Sequence, residues 1–482
     1  MAATLEKKSG LFIAGRVSES AGGSMDVLDP ADGSVIAAVA AADAEDVDRA
    51  VRAARHALAG PWGQLSPADR GRLLSKIGAA VAKQAEPLAQ LEASDVGKPI
   101  GQARGDARAL GRYLEFYGGA CDKMHGESIP YLPGYTVFTQ YEPLGVTGHI
   151  IPWNYPMQII GRSVVAALAM GNAVVLKPAE QASLTSYAFA RIAHEAGLPA
   201  GVLNVVSGYG SIAGQALAAH PDVNHVSFTG SSAVGAAVQA AAASHAVPVT
   251  LELGGKSPHI VFDDADLEAA LPLLVAAATQ NAGQTCSAGS RILVQRGVFE
   301  QIVTRLASRF KALRAGPPLM DLELGPLISQ KQRLRVLEYI RLGRADCRLA
   351  AEGSIVPEAS SNGSYVPASL FVDVPPRHRI AQEEIFGPVA VVIPFDDEEH
   401  ALDIANGTPF GLVAGVWSAD HARLMRMSRR LRAGQVFLND YGAAGGVELP
   451  FGGVGRSGFG REKGMEALRS FAALKTVISR HG

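Results

Sequence analysis

The sequence predicts an α/β protein with two doubly wound domains and a small β arm. Three observations carry this. Apolar strand-like runs at 146–151, 173–177, 202–206, 225–228 and 249–252 are mostly separated by helix-like segments. Such alternation is expected of a parallel sheet covered on both faces. A second alternating set follows at 259–262, 292–294, 389–395, 412–417 and 435–439. Finally, 474–478 reads as a single strand with no local partner, so it must pair elsewhere in the chain or in another subunit.

The bulk numbers agree with this architecture. A chain of 482 residues is too long for one ordinary core, so two or three domains are expected. A hydrophobic content of 48% with 27 prolines fits a globular protein. A formal charge of -2 gives no electrostatic footprint for nucleic acid or an anionic membrane. Three cysteines, Cys121, Cys286 and Cys347, cannot build a disulfide framework and point to a reducing compartment. The polar start at 1–8 lacks a signal-peptide core, and alanine-rich runs such as 275–278 are too short to span a bilayer. A cytoplasmic protein without a metal site is expected.

Along the chain, the first third reads as helical. Ser66-Pro67 is a cap followed by a first-turn proline. Leu73, Leu74, Ile77, Ala80 and Val81 recur at helical spacing, and Gly97-Lys-Pro99 closes the segment. Residues 125–144, with Tyr131, Pro133, Gly134, Tyr135 and Tyr141, read as an extended hairpin or arm.

The chemistry concentrates at strand ends, where open α/β sheets meet ligands. Cys286 lies in Gly283-Gln-Thr-Cys286-Ser-Ala-Gly289, a small and polar setting that leaves a thiol room to react. The plainer reading is a buried small hydrophobe, the commoner fate of a free cysteine. Glu252 ends the run Pro248-Val-Thr-Leu-Glu252, as either a solvated carboxylate or a base for a thiol nucleophile. Asn154, between Trp153 and Tyr155, is either a turn residue or an amide donor aimed at an oxyanion. Lys177 and Glu180 form either a surface ion pair or a grip on ribose hydroxyls. Phe228-Thr-Gly230-Ser231 is a strand, a turn and a helix start, a place where phosphate can dock. Gly208-Tyr-Gly210 with Gly214 is closer to the dinucleotide fingerprint in letters but reads better as a turn. Glu384 and Phe386 pair a carboxylate with a ring two residues on, as a ribose and ring contact or as a turn.

Taken together, these motifs resemble the aldehyde dehydrogenase superfamily nearly from end to end. The resemblance runs through Leu11-Phe-Ile-Ala-Gly-Arg16, Pro152-Trp-Asn-Tyr-Pro156, Lys177-Pro-Ala-Glu180 and Phe228-Thr-Gly-Ser231. It continues through Leu251-Glu-Leu-Gly-Gly-Lys256, Gly283-Gln-Thr-Cys286, Glu383-Glu-Ile-Phe-Gly-Pro388 and Pro450-Phe-Gly-Gly453. It implies Cys286 as nucleophile, Glu252 as general base and Asn154 as oxyanion donor beside the Cys286 backbone N–H. It implies that Lys177 and Glu180 hold the adenosine ribose, Gly230 and Ser231 the pyrophosphate, and Glu384 and Phe386 the nicotinamide ribose. Pro152 and Trp153 join the cofactor contacts, and Tyr155, Arg162 and Phe451 the substrate pocket. It further implies an NAD-binding domain at 1–122 and 145–253 and a catalytic domain at 254–462. An oligomerisation arm and tail at 123–144 and 463–482 would serve a homodimer or homotetramer.

Two branch points follow from the resemblance. Relatives that pass the acyl group to coenzyme A lack the glutamate base, so Glu252 argues for water as acceptor. Glu180 near the ribose 2′-hydroxyl favours NAD over NADP. The expected substrate is a carboxylate-bearing semialdehyde or an aromatic aldehyde. Many relatives acting on apolar aldehydes carry Trp-Lys where this chain has Arg162-Ser163, and succinate-semialdehyde members share the arginine. Arg162 is therefore either a carboxylate clamp or half of a structural ion pair. Tyr155, Asp440, Tyr441 and the Gly-rich loop 440–448 suit an aromatic aldehyde. Two other functional classes compete: a non-catalytic member of the same fold, and a cysteine acyl hydrolase without redox chemistry.

Overall fold

The computed structural model describes residues 8–481. The polar start read as lacking a leader lies almost wholly outside that range. Two large sheets organise the chain. The first runs in the order Gly458–Phe459, Val249–Glu252, His225–Thr229, Val146–Ile150, Ala173–Lys177, Leu203–Val205, Leu11–Ile13, Arg16–Ser18. Its five central strands are parallel. They are buried on both faces, which is why they read as continuous apolar runs rather than alternating ones.

Chain order reverses at Val146–Ile150. From there the chain steps outward to Ala173–Lys177 and Leu203–Val205 on one side. It then returns to His225–Thr229 and Val249–Glu252 on the other. The crevice beyond such a switch point is where open sheets bind ligands. Asn154, Lys177, Gly230 and Glu252 all sit at or just past the carboxyl ends of these strands.

The second sheet runs Arg348–Glu352, Ser369–Val372, Val389–Phe395, Arg291–Gln295, Pro258–Val261, Val413–Trp417, Gln435–Leu438. All pairs are parallel except the first. The expected α/β architecture is thus present. The two strands at 348–352 and 369–372 escape the sequence reading: Arg348–Glu352 is only part-buried and charged at both ends, and Ser369–Val372 has just four residues.

The first third departs from the helical expectation. Five short strands precede the first helix, between Lys8 and Ala40. Ser24–Leu28 alternates exposed and buried residues, a period of two that is hard to recognise over five residues. The helices Ala44–Ala59, Pro67–Lys83, Ala85–Val96 and Ile100–Ala120 then follow. Ser66 caps Pro67–Lys83, its hydroxyl accepting from Asp69 N at 3.1 Å. The segment expected to close at Gly97 is two helices, and Gly97 (φ +83) ends the second.

The segment 125–144 is extended, as expected, and contributes Ser128–Ile129 and Tyr135–Pro143 to a three-stranded sheet. The C-terminal strand Ala472–Arg480 finds its partner there, pairing antiparallel with Tyr135–Pro143. Leu474 and Ile478 stay exposed on that strand. No helix among the described residues is long and apolar enough to cross a membrane.

Candidate active site

A cavity of about 960 Å³ opens between the ends of the two large sheets. Cys286, Glu252 and Asn154 all border it. So do Pro152, Trp153, Gly230, Ser231, Glu384 and Phe386, and also Tyr155, Arg162 and Phe451. Lys177 and Glu180 do not; they lie at the end of Ala173–Lys177, one strand out from the switch point.

Cys286 reaches the cavity through an unusual turn. After the helix Leu267–Thr279, Asn281 (φ +50), Ala282 (φ +53) and Gly283 (φ +73) are left-handed in succession. Side chains rarely adopt that region outside functional sites. At Gly283 a Cβ would lie 2.2 Å from the carbonyl oxygen of Gly387, so glycine is required. The turn is tied to the Asn154 segment in both directions. Asn154 Nδ2 donates to Gln284 O at 2.9 Å, and Asn281 Nδ2 donates to Asn154 O at 3.0 Å. The Asn154 amide nitrogen carries two hydrogens, so one remains for another acceptor.

Electrostatics around the thiol oppose ionisation. Burial pushes Cys286 up to about 12, Arg162 pulls it down, and Glu252 adds to the rise. Glu252 is itself almost fully buried, and neither carboxylate oxygen has a hydrogen-bond partner among the described residues. Burial, then the neighbouring Glu462, holds it well above the usual carboxylate range against Arg162 and Arg461. Both groups therefore favour their protonated forms, so the thiol can hand its proton to Glu252 only once that carboxyl has ionised.

Arg162 lies on a π turn, Ile160–Val164, within an otherwise α-helical stretch. Its Nε forms an ion pair with Glu462, and its guanidinium carbon stands 5.0 Å from the Phe451 ring centre. The guanidinium thus borders the cavity with its charge paired to Glu462. Ser163 is fully buried and its hydroxyl donates to Ile159 O at 2.9 Å.

On the other side of the cavity, Trp153 and Phe386 meet edge to face with ring centres 5.3 Å apart. Phe386 is left-handed (φ +62) and its carbonyl accepts from Gln332 Nε2 at 2.8 Å. Glu384 Oε1 accepts from Gly255 N at 3.0 Å, and burial raises its carboxyl to about 7. A Cβ on Gly254 would lie 2.4 Å from a Glu384 oxygen, so the carboxylate depends on bare backbone there. Ser231 caps the helix Ser232–Ala243, its hydroxyl accepting from Val234 N at 3.4 Å. Lys177 is buried, its Nζ 3.3 Å from Glu180, so the pair is not the surface bridge that its sequence alone allows.

The sequence pattern of the aldehyde dehydrogenase family matches residues 17–477. The chain belongs to the aldehyde dehydrogenase family. It is an enzyme of that family by the same evidence of descent. An aldehyde dehydrogenase from Aspergillus niger is 43% identical over 481 residues, covering 99% of this chain and 96% of that protein. A candidate aldehyde dehydrogenase from Burkholderia cenocepacia has a crystal structure at 59% identity and a TM-score of 0.97, covering 98% of this chain and 100% of that one. The NAD+ complex of an aldehyde dehydrogenase from Bacillus cereus matches at 40% identity and TM-score 0.96, covering 100% of this chain and 98% of that one.

Two residues that hold the site, Glu462 and Gln284, have no role assigned from the sequence. Glu462 lies in Arg461-Glu462-Lys463, which reads as a solvated charge run, yet it is fully buried. Its Oε1 accepts from Ser227 Oγ at 3.1 Å. Gln284 is equally hidden in the chain. Its Oε1 accepts from Ile328 N at 2.9 Å and its Nε2 donates to Asn281 O at 3.1 Å, which fixes the cysteine turn. Only the alternation of small and amide residues around Cys286 hints at this.

Proposed function

We propose that the protein oxidises an aldehyde to its carboxylic acid with NAD, through a thioester on Cys286 that water releases. The observation carrying this reading is the convergence of Cys286, Glu252 and Asn154 on one cavity that also receives Trp153, Ser231 and Glu384. A thiol hydrolase has no use for the last three.

The residues fit a dinucleotide. Buried Lys177 and part-exposed Glu180 offer an ammonium and a carboxylate to ribose hydroxyls. The amino end of Ser232–Ala243 offers unpaired N–H groups to phosphate. Glu384 accepts a single backbone bond and can take a second hydroxyl. Bound NAD would supply the hydride acceptor. Glu180 beside the ribose favours NAD over NADP.

In the chemistry proposed, Cys286 Sγ attacks the aldehyde carbon, and its proton passes to Glu252. The oxyanion of the resulting thiohemiacetal is held by the free Asn154 Nδ2–H and the Cys286 backbone N–H. Loss of hydride from that carbon leaves a thioester on Cys286. Glu252 gives that first proton up to solvent and, ionised again, takes one from the water that attacks the thioester carbonyl, then returns it to the departing thiolate. The carboxylic acid leaves and the thiol is restored.

In the division of labour proposed, 1–122 and 145–253 bind NAD and 254–462 carries catalysis. The arm 123–144 and tail 463–482, with Leu474 and Ile478 exposed, would join copies into a homodimer or homotetramer. For the substrate, Tyr155, Phe451, Phe437 and Tyr441 give the cavity aromatic walls suited to a flat or extended apolar body. A semialdehyde or an aromatic aldehyde fits them. NADH formation across carboxylate-bearing aldehydes, benzaldehydes and plain alkanals, with NAD and then NADP, tests the reading. Absence of NADH with every aldehyde, or turnover retained in Cys286→Ala, would overturn it.

A further inference from the structure

Four cationic side chains border the cavity on the side of the helix Ile100–Ala120 and the loop 440–448: Arg108, Arg112, Arg162 and Lys463. Two have carboxylate partners, Arg162 with Glu462 and Arg112 with Glu448. Asp106, on the same wall, is engaged by Lys98 and by Gln158 Nε2, the latter at 2.6 Å. Among the described residues, no carboxylate lies within ion-pair reach of Lys463 or of Arg108. The acids of this wall are therefore taken, and two cations are left over.

Lys463 is the better placed of the two. Its backbone is left-handed (φ +63) and is followed by Gly464 (φ +57) at the start of Gly464–Ser470. A non-glycine residue holds that conformation only where its surroundings impose it. Here the side chain turns back along the cavity, and Nζ donates to Gly445 O at 3.0 Å. An ammonium has three donors, so two remain. Burial, then the Arg162 guanidinium, holds Lys463 down to about 8, with Glu448 opposing. An entering anion would relieve both effects.

We propose that Lys463 is a specificity-determining residue that receives the remote carboxylate of an ω-carboxylate aldehyde, with Arg108 as an outer second cation. The proposal rests on aldehyde oxidation as proposed above and selects the semialdehyde class. It moves carboxylate recognition from Arg162, whose charge Glu462 already compensates, to a cation with no carboxylate partner among the described residues.

The test compares the wild-type enzyme with Lys463→Met and Lys463→Arg on adipate semialdehyde and hexanal, aldehydes of equal chain length. Calorimetric binding of adipate to the same three proteins is the second readout. The wild-type should prefer the semialdehyde. Lys463→Met should lower the ratio of the two kcat/KM values about tenfold or more, mainly through KM, since a charged hydrogen bond is lost. Lys463→Arg should restore much of the ratio, and adipate binding should weaken in parallel in Lys463→Met. A ratio that moves by less than about twofold overturns the proposal and leaves aldehyde oxidation standing. Should no aldehyde yield NADH, the underlying function fails and adipate binding decides the site alone. Weakening about tenfold in Lys463→Met then supports it, whereas equal or undetectable binding in both proteins overturns it.

Discussion

Arg162 and Glu462 are 300 positions apart in the chain and form a buried ion pair beside the Glu252 carboxylate. Neither charge is tolerable there alone. Glu462→Gln should therefore destabilise the fold by about 3–5 kcal/mol, because it leaves a buried guanidinium uncompensated. Chemical denaturation of Glu462→Gln, Arg162→Met and the double variant checks this. The double variant should lose less than the sum of the singles. Additive losses would mean that the pair does not couple.

The same pair sets the pH response of Glu252. Glu462 raises the Glu252 carboxyl and Arg162 lowers it. Deacylation needs the ionised base, so its rate should rise with pH through the Glu252 transition. In Glu462→Gln one raising influence is gone, and the acid limb of the profile should move to lower pH. A limb that stays in place, or moves the other way, contradicts the assignment.

Glu252→Gln should form the thioester more slowly, because the thiol loses its proton acceptor, and should then fail to release it. Rapid mixing with aldehyde and NAD should show NADH equal to one per active site, followed by steady turnover reduced by about 10²–10⁴. Asn154→Ala should lack a burst of that speed, with the first hydride step slowed by about 10²–10³. Undiminished steady turnover in Glu252→Gln would remove it from the role of base.

The Cys286 thiol, pushed up to about 12, is mostly protonated at neutral pH when no cofactor is present. Iodoacetamide capture at Cys286 should accelerate about tenfold per pH unit between roughly pH 7 and 10 without levelling, since only the thiolate reacts. Peptide mass analysis separates this site from Cys121 and Cys347. A plateau near the ordinary thiol range would show that the thiol is not held neutral.

Glu180→Gln tests the cofactor reading. Removing the carboxylate should raise the NADP-to-NAD ratio of kcat/KM by on the order of tenfold, because repulsion of the extra phosphate is lost. An unaltered ratio would place discrimination elsewhere.

What was legible in the chain is what local chemistry imposes. Strands buried on both faces must be apolar throughout, so 146–150, 173–177, 225–229 and 249–252 could be read, and with them the strand-end positions of Asn154, Lys177, Gly230 and Glu252. Cys286 stood out because its glycine-containing turn is itself a local signal, and left-handed Gly283 carries part of that turn. The early strands between Lys8 and Ala40 were missed because two to six residues are too few to display a period.

By itself, then, the sequence determined the α/β architecture, the order of its motifs and the residue types the chemistry needs. Only the tertiary structure decided what each charge faces. Burial and pairing depend on which distant segments close over a group. The charged run at 461–463 placed Glu462 against Arg162 and left Lys463 on the cavity wall with donors unspent. Arg162 was open to two roles in the sequence, and an acid from the far end of the chain occupies it in the fold.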